Sequence, residues 1–160
     1  MRAAFEDKVC EPQRLHARVA LLPEPRVFTN GVFDILHRGH VTYLAQAQAL
    51  GASLIVALNS DASVRRLGKG DDRPLNALGD RMAVVAALQS VDLVTWFDED
   101  TPLILIGLCA PDVLVKGGDW KPEAIIGAQE VKRRGGSVYS IPFQYATSTS
   151  SLLERVRRSG

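Results

Sequence analysis

The sequence predicts an α/β fold: a Rossmann-like, doubly wound sheet of five parallel strands with helices on both faces. Two observations carry this expectation. From Arg26 onward, short apolar runs alternate with longer amphipathic ones, the pattern of strand–helix repetition. The short runs are continuously apolar, as strands covered on both faces require. The chain has 160 residues and shows no internal repeat, low-complexity tract or linker. A leader over 1–25 and a single domain over 26–160 are therefore expected.

The leader holds a short helix and closes on Pro23-Glu24-Pro25. RVFTN is the first strand. A helix then runs from His37 or Gly39 to Leu50, with Gly51 as its C-terminal cap. SLIVAL, short and rich in β-branched residues, is the second strand. A brief helix over Ala62 to Leu67 follows, capped by Ser60 or Asp61. GKGDDRPLNALG is a polar loop, DRMAVVAALQS a helix and VDLVTWF the third strand. Thr101-Pro102 reads as an N-cap with proline at the first helical position, opening TPLILIGLC. DVLVKG is the fourth strand, PEAIIGAQEVKRR a helix stopped by Gly135-Gly136, and SVYSI the fifth strand. STSSLLERVRR closes the chain as a helix capped by Ser148.

Composition narrows the function classes. The chain is 46% hydrophobic and 23% charged, with a formal net charge of +1. That balance argues against a general nucleic-acid binder, which carries a strong basic excess. No apolar run reaches the length of a membrane span, so no membrane partner is expected. MRAAFEDKVCEPQ lacks the apolar core of a secretory signal, and a cytoplasmic location is expected. Cys10 and Cys109 lie far apart, without CxxC or CxxH spacing, and read as reduced thiols rather than a disulfide or zinc site.

In a doubly wound sheet, ligands sit at the carboxyl ends of the strands near the reversal of strand order. That gathers residues 29–40, Asn59-Ser60-Asp61 and residues 116–119 around one crevice. GxGxxG is absent after the first strand, Gly68-Lys69-Gly70 fails the GxxxxGK[ST] spacing, and GxSxG is missing. What remains is TNGVFDILHRGH, residues 29–40. Gly31 permits close backbone approach to a ligand, and Gly39 leaves room between the imidazoles of His37 and His40. Their three-residue spacing puts both rings on one helix face, at its positively polarised end. Such a site suits phosphate groups. A zinc site would need a third ligand, and the one other histidine, His16, lies in the leader; no metal site is expected.

This stretch resembles the HxGH signature of the nucleotidyltransferase superfamily. NSDASVRRL, RPLNALGDRMAVVAAL, VDLVTWFDEDTP, PDVLVKGGDW and TSTS are similar to segments of the bacterial heptose-1-phosphate adenylyltransferases, relatives of the glycerol-phosphate and choline-phosphate cytidylyltransferases. The similarity spans about residues 26 to 157 in order. It implies a nucleotidyltransferase-type sheet and transfer of adenylyl from ATP to a sugar 1-phosphate, in the stand-alone form without a fused kinase. Thr29, Asn30, Gly31 and Phe33 would form the loop beneath the triphosphate. His37 and His40 would contact its phosphates. Lys116, Gly117, Gly118 and Asp119 would line the nucleotide pocket, and Ser148 and Thr149 would bind phosphate oxygens. Asp34, Asn59 and Asp61 would lie around the sugar phosphate or act as supports. The family pattern carries a lysine close to Leu67; in RRLGKGDDRP the nearest match is Lys69.

Lys69, Arg73 and Arg81 are the candidate cations for phosphate, against the ordinary reading of solvated surface charges. Arg81 opens a helix, where a cation opposes the dipole, and that favours an anionic partner. Mg2+ is expected to arrive with ATP, because no compact carboxylate cluster offers a cage. Relatives of this kind are commonly dimers, so a homodimer is carried as an expectation. Two other readings stay open. One is a related cytidylyl- or adenylyltransferase using another acceptor such as glycerol 3-phosphate; the other is a non-catalytic nucleotide-binding module. Trp120 stays undecided between packing and pocket wall.

Overall fold

In the computed structural model, which describes residues 3–68, 70, 72–145 and 148–158, five strands form one sheet. They are β1 (Arg26–Gly31), β2 (Ser53–Asn59), β3 (Leu93–Phe97), β4 (Val113–Gly117) and β5 (Ser137–Ile141). All neighbours pair in parallel, in the order β3-β2-β1-β4-β5. The order reverses at β1, so the switch point lies between β1 and β4. Every residue of β2 is buried, which is why SLIVAL is apolar without alternation.

The α-helices are α1 (Leu15–Val19), α2 (Arg38–Gln48), α3 (Asp61–Arg66), α4 (Leu78–Ala86), α5 (Leu103–Cys109), α6 (Ala128–Arg133) and α7 (Thr149–Arg158). Successive strand residues point to opposite faces, and the core divides accordingly. Phe28, Ile55 and Leu114 meet Leu15, Ile106 and Val131 on one face. Val27, Leu54, Val56 and Val115 meet Tyr43, Leu44 and Val85 on the other. The doubly wound prediction therefore holds in both topology and core.

Residues 1–25 were expected to stand ahead of the domain. Within them, Cys10, Leu15 and Val19 are buried in the first of these cores. Val9 makes a parallel bridge to Val94 of β3, and the Cys10 amide donates to the Val94 carbonyl at 2.8 Å. The segment occupies the β3 edge, which would otherwise offer unpaired backbone groups.

Several expected element boundaries move, each for a local reason. The predicted helix over PEAIIGAQEVKRR splits into a 3-10 turn, Pro122–Ala124, and α6, because Gly127 takes a left-handed conformation at φ 86°. Thr101 does not cap α5; Pro102 occupies the N-cap and no side chain caps it. The fourth helix starts at Leu78, before the predicted Asp80. Gly51 is not a left-handed cap. A Cβ there would meet the Pro25 carbonyl oxygen at 2.5 Å, so glycine lets the chain pass close beneath β1. The caps at Ser60 and Ser148 are present: their hydroxyls accept from the amides of Ser63 and Ser151 at 3.0 and 3.1 Å. Among the described residues, no helix is long and apolar enough to cross a membrane.

Candidate active site

At the switch point the two central strands part. β1 and β4 pair at Val27–Val113 and Phe28–Leu114, yet each continues three residues further, to Gly31 and Gly117. Tyr43 of α2 fills the gap. Its hydroxyl hydrogen-bonds the Thr29 hydroxyl and donates to the Val115 carbonyl at 3.4 Å, so one phenol bridges both strands. Above this wedge lies a cleft of about 400 Å³, within the range usual for small-molecule sites.

His37 and His40 both line the cleft. Their ring centroids are 3.9 Å apart with planes tilted 30°. His37 is the N-cap of α2, in extended conformation at φ −139° and ψ 172°. Its Nδ1 accepts the Gly39 amide at 3.1 Å. A backbone amide can only donate, so the neutral ring carries its proton on Nε2. Gly39 is required: a Cβ there would stand 2.9 Å from His37 Cε1. The expected clearance is present on the His37 side.

His40 is flanked by Phe33 at 5.4 Å and Phe143 at 6.2 Å, both edge-on. Burial drives its pKa down to about 4, with His37 adding to the effect. The Ile35 carbonyl pulls the other way, although among the described residues the buried Nδ1 has no hydrogen-bond partner. Burial also lowers the pKa of His37. Both rings are therefore neutral near pH 7, and a polyanion placed beside them would draw protons onto them.

Most residues expected around the triphosphate meet here. Asn30, Gly31, Phe33, Lys116, Gly117, Ser148 and Thr149 line the same cleft as the histidines. Phe33 sits at φ 49°, a strained conformation for a bulky side chain, and its ring lies where a Cβ on Gly31 would be. Gly117 is similarly constrained, since a Cβ would meet Phe143 Cζ at 2.8 Å. The first turn of α7 faces the cleft through Ser148, Thr149 and Ser150, and the Thr149 hydroxyl donates to the Ile35 carbonyl at 3.3 Å.

Other expected site residues lie elsewhere. Thr29 is fully buried beneath the cleft, with its hydroxyl engaged by Tyr43, so it supports the loop and does not line it. Asp119 is exposed and lines neither the cleft nor its neighbour. Gly118 turns the chain at φ 115°, and its carbonyl accepts from the Ser140 hydroxyl at 2.6 Å. Asn59 donates its amide to the Ser63 hydroxyl at 3.0 Å and opens onto a second cavity. Lys69 falls outside the described residues.

The charged candidates separate sharply. The Asp34 carboxylate accepts the amides of Leu75 and Asn76 at 2.9–3.0 Å and pairs with Arg73 Nε at 2.8 Å. Asp34 is thus a support that holds Arg73 on the cleft wall. Arg81 is 1% exposed. It donates to the Asn76 and Val32 carbonyls at 3.0 and 2.8 Å and to Asp61 at 2.7 Å. The expected partner of Arg81 was an incoming phosphate; the anion it meets is Asp61, and the pair clamps loops together behind the cleft. Among the described residues no group of three or more His, Cys, Asp or Glu is placed to hold a metal ion.

Two lining aromatics were not foreseen as site residues, Tyr43 and Phe143; the third, Trp120, was left open between packing and pocket wall, and it lines the cleft. Tyr43 stands three residues after His40, so helical spacing alone could have placed it on the same face. Phe143 reaches the cleft through the segment joining β5 to α7, a path no local pattern encodes.

A parallel sheet with paired imidazoles and a helix N-terminus at its switch point has the fold of a nucleotidyltransferase, and its cleft is the arrangement that the HxGH resemblance implies. The chain belongs to the cytidylyltransferase-like family, whose pattern matches residues 28–151. A D-beta-D-heptose 1-phosphate adenylyltransferase of Bordetella bronchiseptica is 56% identical over 158 residues, covering 98% of each chain. The bifunctional protein HldE of Citrobacter koseri is 56% identical over 135 residues, which are 84% of this chain and 28% of that protein. The crystal structure of the lipopolysaccharide core biosynthesis protein from Thermoplasma volcanium matches with a TM-score of 0.62 and 30% identity, covering 76% of this chain and 98% of that one.

Proposed function

We propose that the chain transfers the adenylyl group of ATP to D-glycero-β-D-manno-heptose 1-phosphate, giving ADP-heptose and pyrophosphate for lipopolysaccharide core synthesis. The observation that carries this reading is the 56% identity, over 98% of both chains, to an enzyme named for that reaction. The cleft's chemistry agrees with it.

In this reading the triphosphate lies across the His37/His40 face and the first turn of α7. An oxygen of the sugar phosphate attacks the α-phosphorus while the bond to the β-phosphate oxygen breaks, and pyrophosphate leaves. The acceptor oxygen is already anionic, so no side chain has to form a covalent bond or remove a proton. The work of the protein is alignment and neutralisation of charge. His37, with its proton fixed on Nε2, presents an N–H donor to a phosphate oxygen. His40 takes up positive character as the polyanion approaches. Arg73, steadied by Asp34, and Lys116 supply cations at the two sides. Mg2+ would come with ATP as part of the nucleotide substrate, where it would shield the phosphate charge. The supply of ATP puts the reaction in the cytoplasm.

Pyrophosphate release measured across ATP and CTP, each with heptose 1-phosphate, glycerol 3-phosphate and other phosphate acceptors, tests the assignment. ATP with the heptose phosphate is expected to dominate by kcat/KM; preference for any other pair overturns it. In the same assay His40→Ala is expected to fold normally and lose about a hundredfold or more in kcat, the usual cost of one transition-state donor. Near-normal turnover would remove His40 from the mechanism.

A further inference from the structure

The imidazole of His40 lies between two phenylalanine rings that reach it by different routes. Phe33 comes from the loop after β1, with its ring packed over Gly31. Phe143 comes from the segment joining β5 to α7 and meets His40 edge-on, with centroids 6.2 Å apart and planes at 87°. The same ring packs on Tyr43 at 5.6 Å. It also fills the space beside Gly117, where an added Cβ would stand 2.8 Å from Phe143 Cζ. One side chain thus bears on α2 and on the end of β4 together.

Folding does not account for its place. Phe143 is 45% exposed and belongs to neither core, so its burial stabilises little. Yet the chain fixes it from both sides. Before it, the Ile141 carbonyl accepts the Gly118 amide at 2.9 Å. After it, the Arg38 guanidinium lies 3.9 Å from the centre of the Tyr145 ring, a cation–π contact, and the Thr149 hydroxyl donates to the Ile35 carbonyl at 3.3 Å. Both later anchors return to the stretch that carries the two histidines. What they hold in position is an apolar ring over an imidazole whose Nδ1 is buried and has no hydrogen-bond partner among the described residues.

We propose that Phe143 is a positioning residue for adenylyl transfer: it roofs His40 and keeps water from the imidazole that meets the triphosphate. An imidazole shielded from water acts on a phosphate oxygen more strongly than a hydrated one. The roof also agrees with the neutrality of the free ring, since burial is the first cause of its lowered pKa. Asp34, His37, Tyr43, Arg73 and Lys116 share the cleft with His40, and Arg38 and Tyr145 form the clasp beside it. Replacing Phe143 alters none of these groups, so the cover can be varied alone. The catalytic consequence rests on the adenylyl-transfer reading; the cover itself does not.

The chain has three histidines, and in an NMR titration of their ring protons the His40 signal is the one lost in His40→Gln. In the wild-type enzyme without ligand its midpoint is expected at about 4. In Phe143→Ala it is expected to rise by about one pH unit or more as water enters, whereas Phe143→Leu, which keeps apolar bulk, stays close to wild type. In the turnover assay Phe143→Ala is expected to lower kcat about tenfold with KM for ATP within about twofold, because a donor is weakened and not removed. Phe143→Leu should recover most of that loss. A His40 midpoint that does not move in Phe143→Ala overturns the roof. A rise in KM for ATP at unchanged kcat also overturns it, since Phe143 would then be holding the nucleotide directly. A wild-type chain that releases no pyrophosphate with any phosphate acceptor overturns the transfer reading and the catalytic role with it, while the titration stands or falls on the cover alone, so the two failures are told apart.

Discussion

His40 stays neutral because burial and a second imidazole 3.9 Å away both oppose its protonation. Its pKa falls from the ordinary 6.5 to about 4. The unfolded chain therefore takes the proton first as pH drops, and acid favours unfolding. The sign is that of a depressed folded-state pKa: the contribution is fully present above pH 6.5 and is lost as pH falls toward about 4. Urea titrations across this window are expected to show wild-type stability declining more steeply than that of His40→Gln, which has no ring to protonate. A difference between the two that does not vary with pH would contradict the buried, neutral imidazole. Binding works in the opposite sense. A triphosphate raises both imidazole pKa values, so nucleotide binding near pH 6 should be accompanied by proton uptake.

Tyr43 shows how one helix sets the shape of the sheet. Its hydroxyl spans Thr29 and Val115 in the gap left where β1 and β4 stop pairing. Tyr43→Phe keeps the ring and strands the fully buried Thr29 hydroxyl. A loss of about 1–3 kcal/mol in urea unfolding is expected, together with weaker ATP binding by calorimetry as the gap relaxes. Unchanged stability would mean the wedge carries no load. The same elements show what could be read in advance. Strand positions were legible because burial on both faces writes continuous apolar runs, as in SLIVAL. Gly39 was legible as the small residue of the HRGH stretch, although only the fold shows that the neighbour it clears is the His37 ring. The break at Gly127 was not, since a glycine inside a helical pattern does not declare its φ. Nor was the role of Arg81. Its position against the dipole signalled an anion correctly, but only the packed fold shows that the anion is Asp61. Thr29 looked like a ligand-facing residue by its place in the motif, and strand register turns it inward.

The molecule depends on its first residues as much as on its sheet. Cys10, Leu15 and Val19 are core residues, and Val9 closes the β3 edge. Deleting residues 3–11 uncovers that edge. A lower melting temperature and concentration-dependent light scattering are expected; a truncated chain that melts like the intact one and stays monodisperse would contradict this. At the other end, α7 buries no residue completely yet contributes to the cleft, and Arg157 reaches back to Asp72 at 2.7 Å. The cleft thus draws on stretches as distant in the chain as Ile35 and Thr149, joined across 114 positions. No fragment that lacks either stretch can assemble it. Nucleotide saturation therefore counts intact molecules, and a preparation's binding stoichiometry doubles as an assay of how much of it has reached the native state.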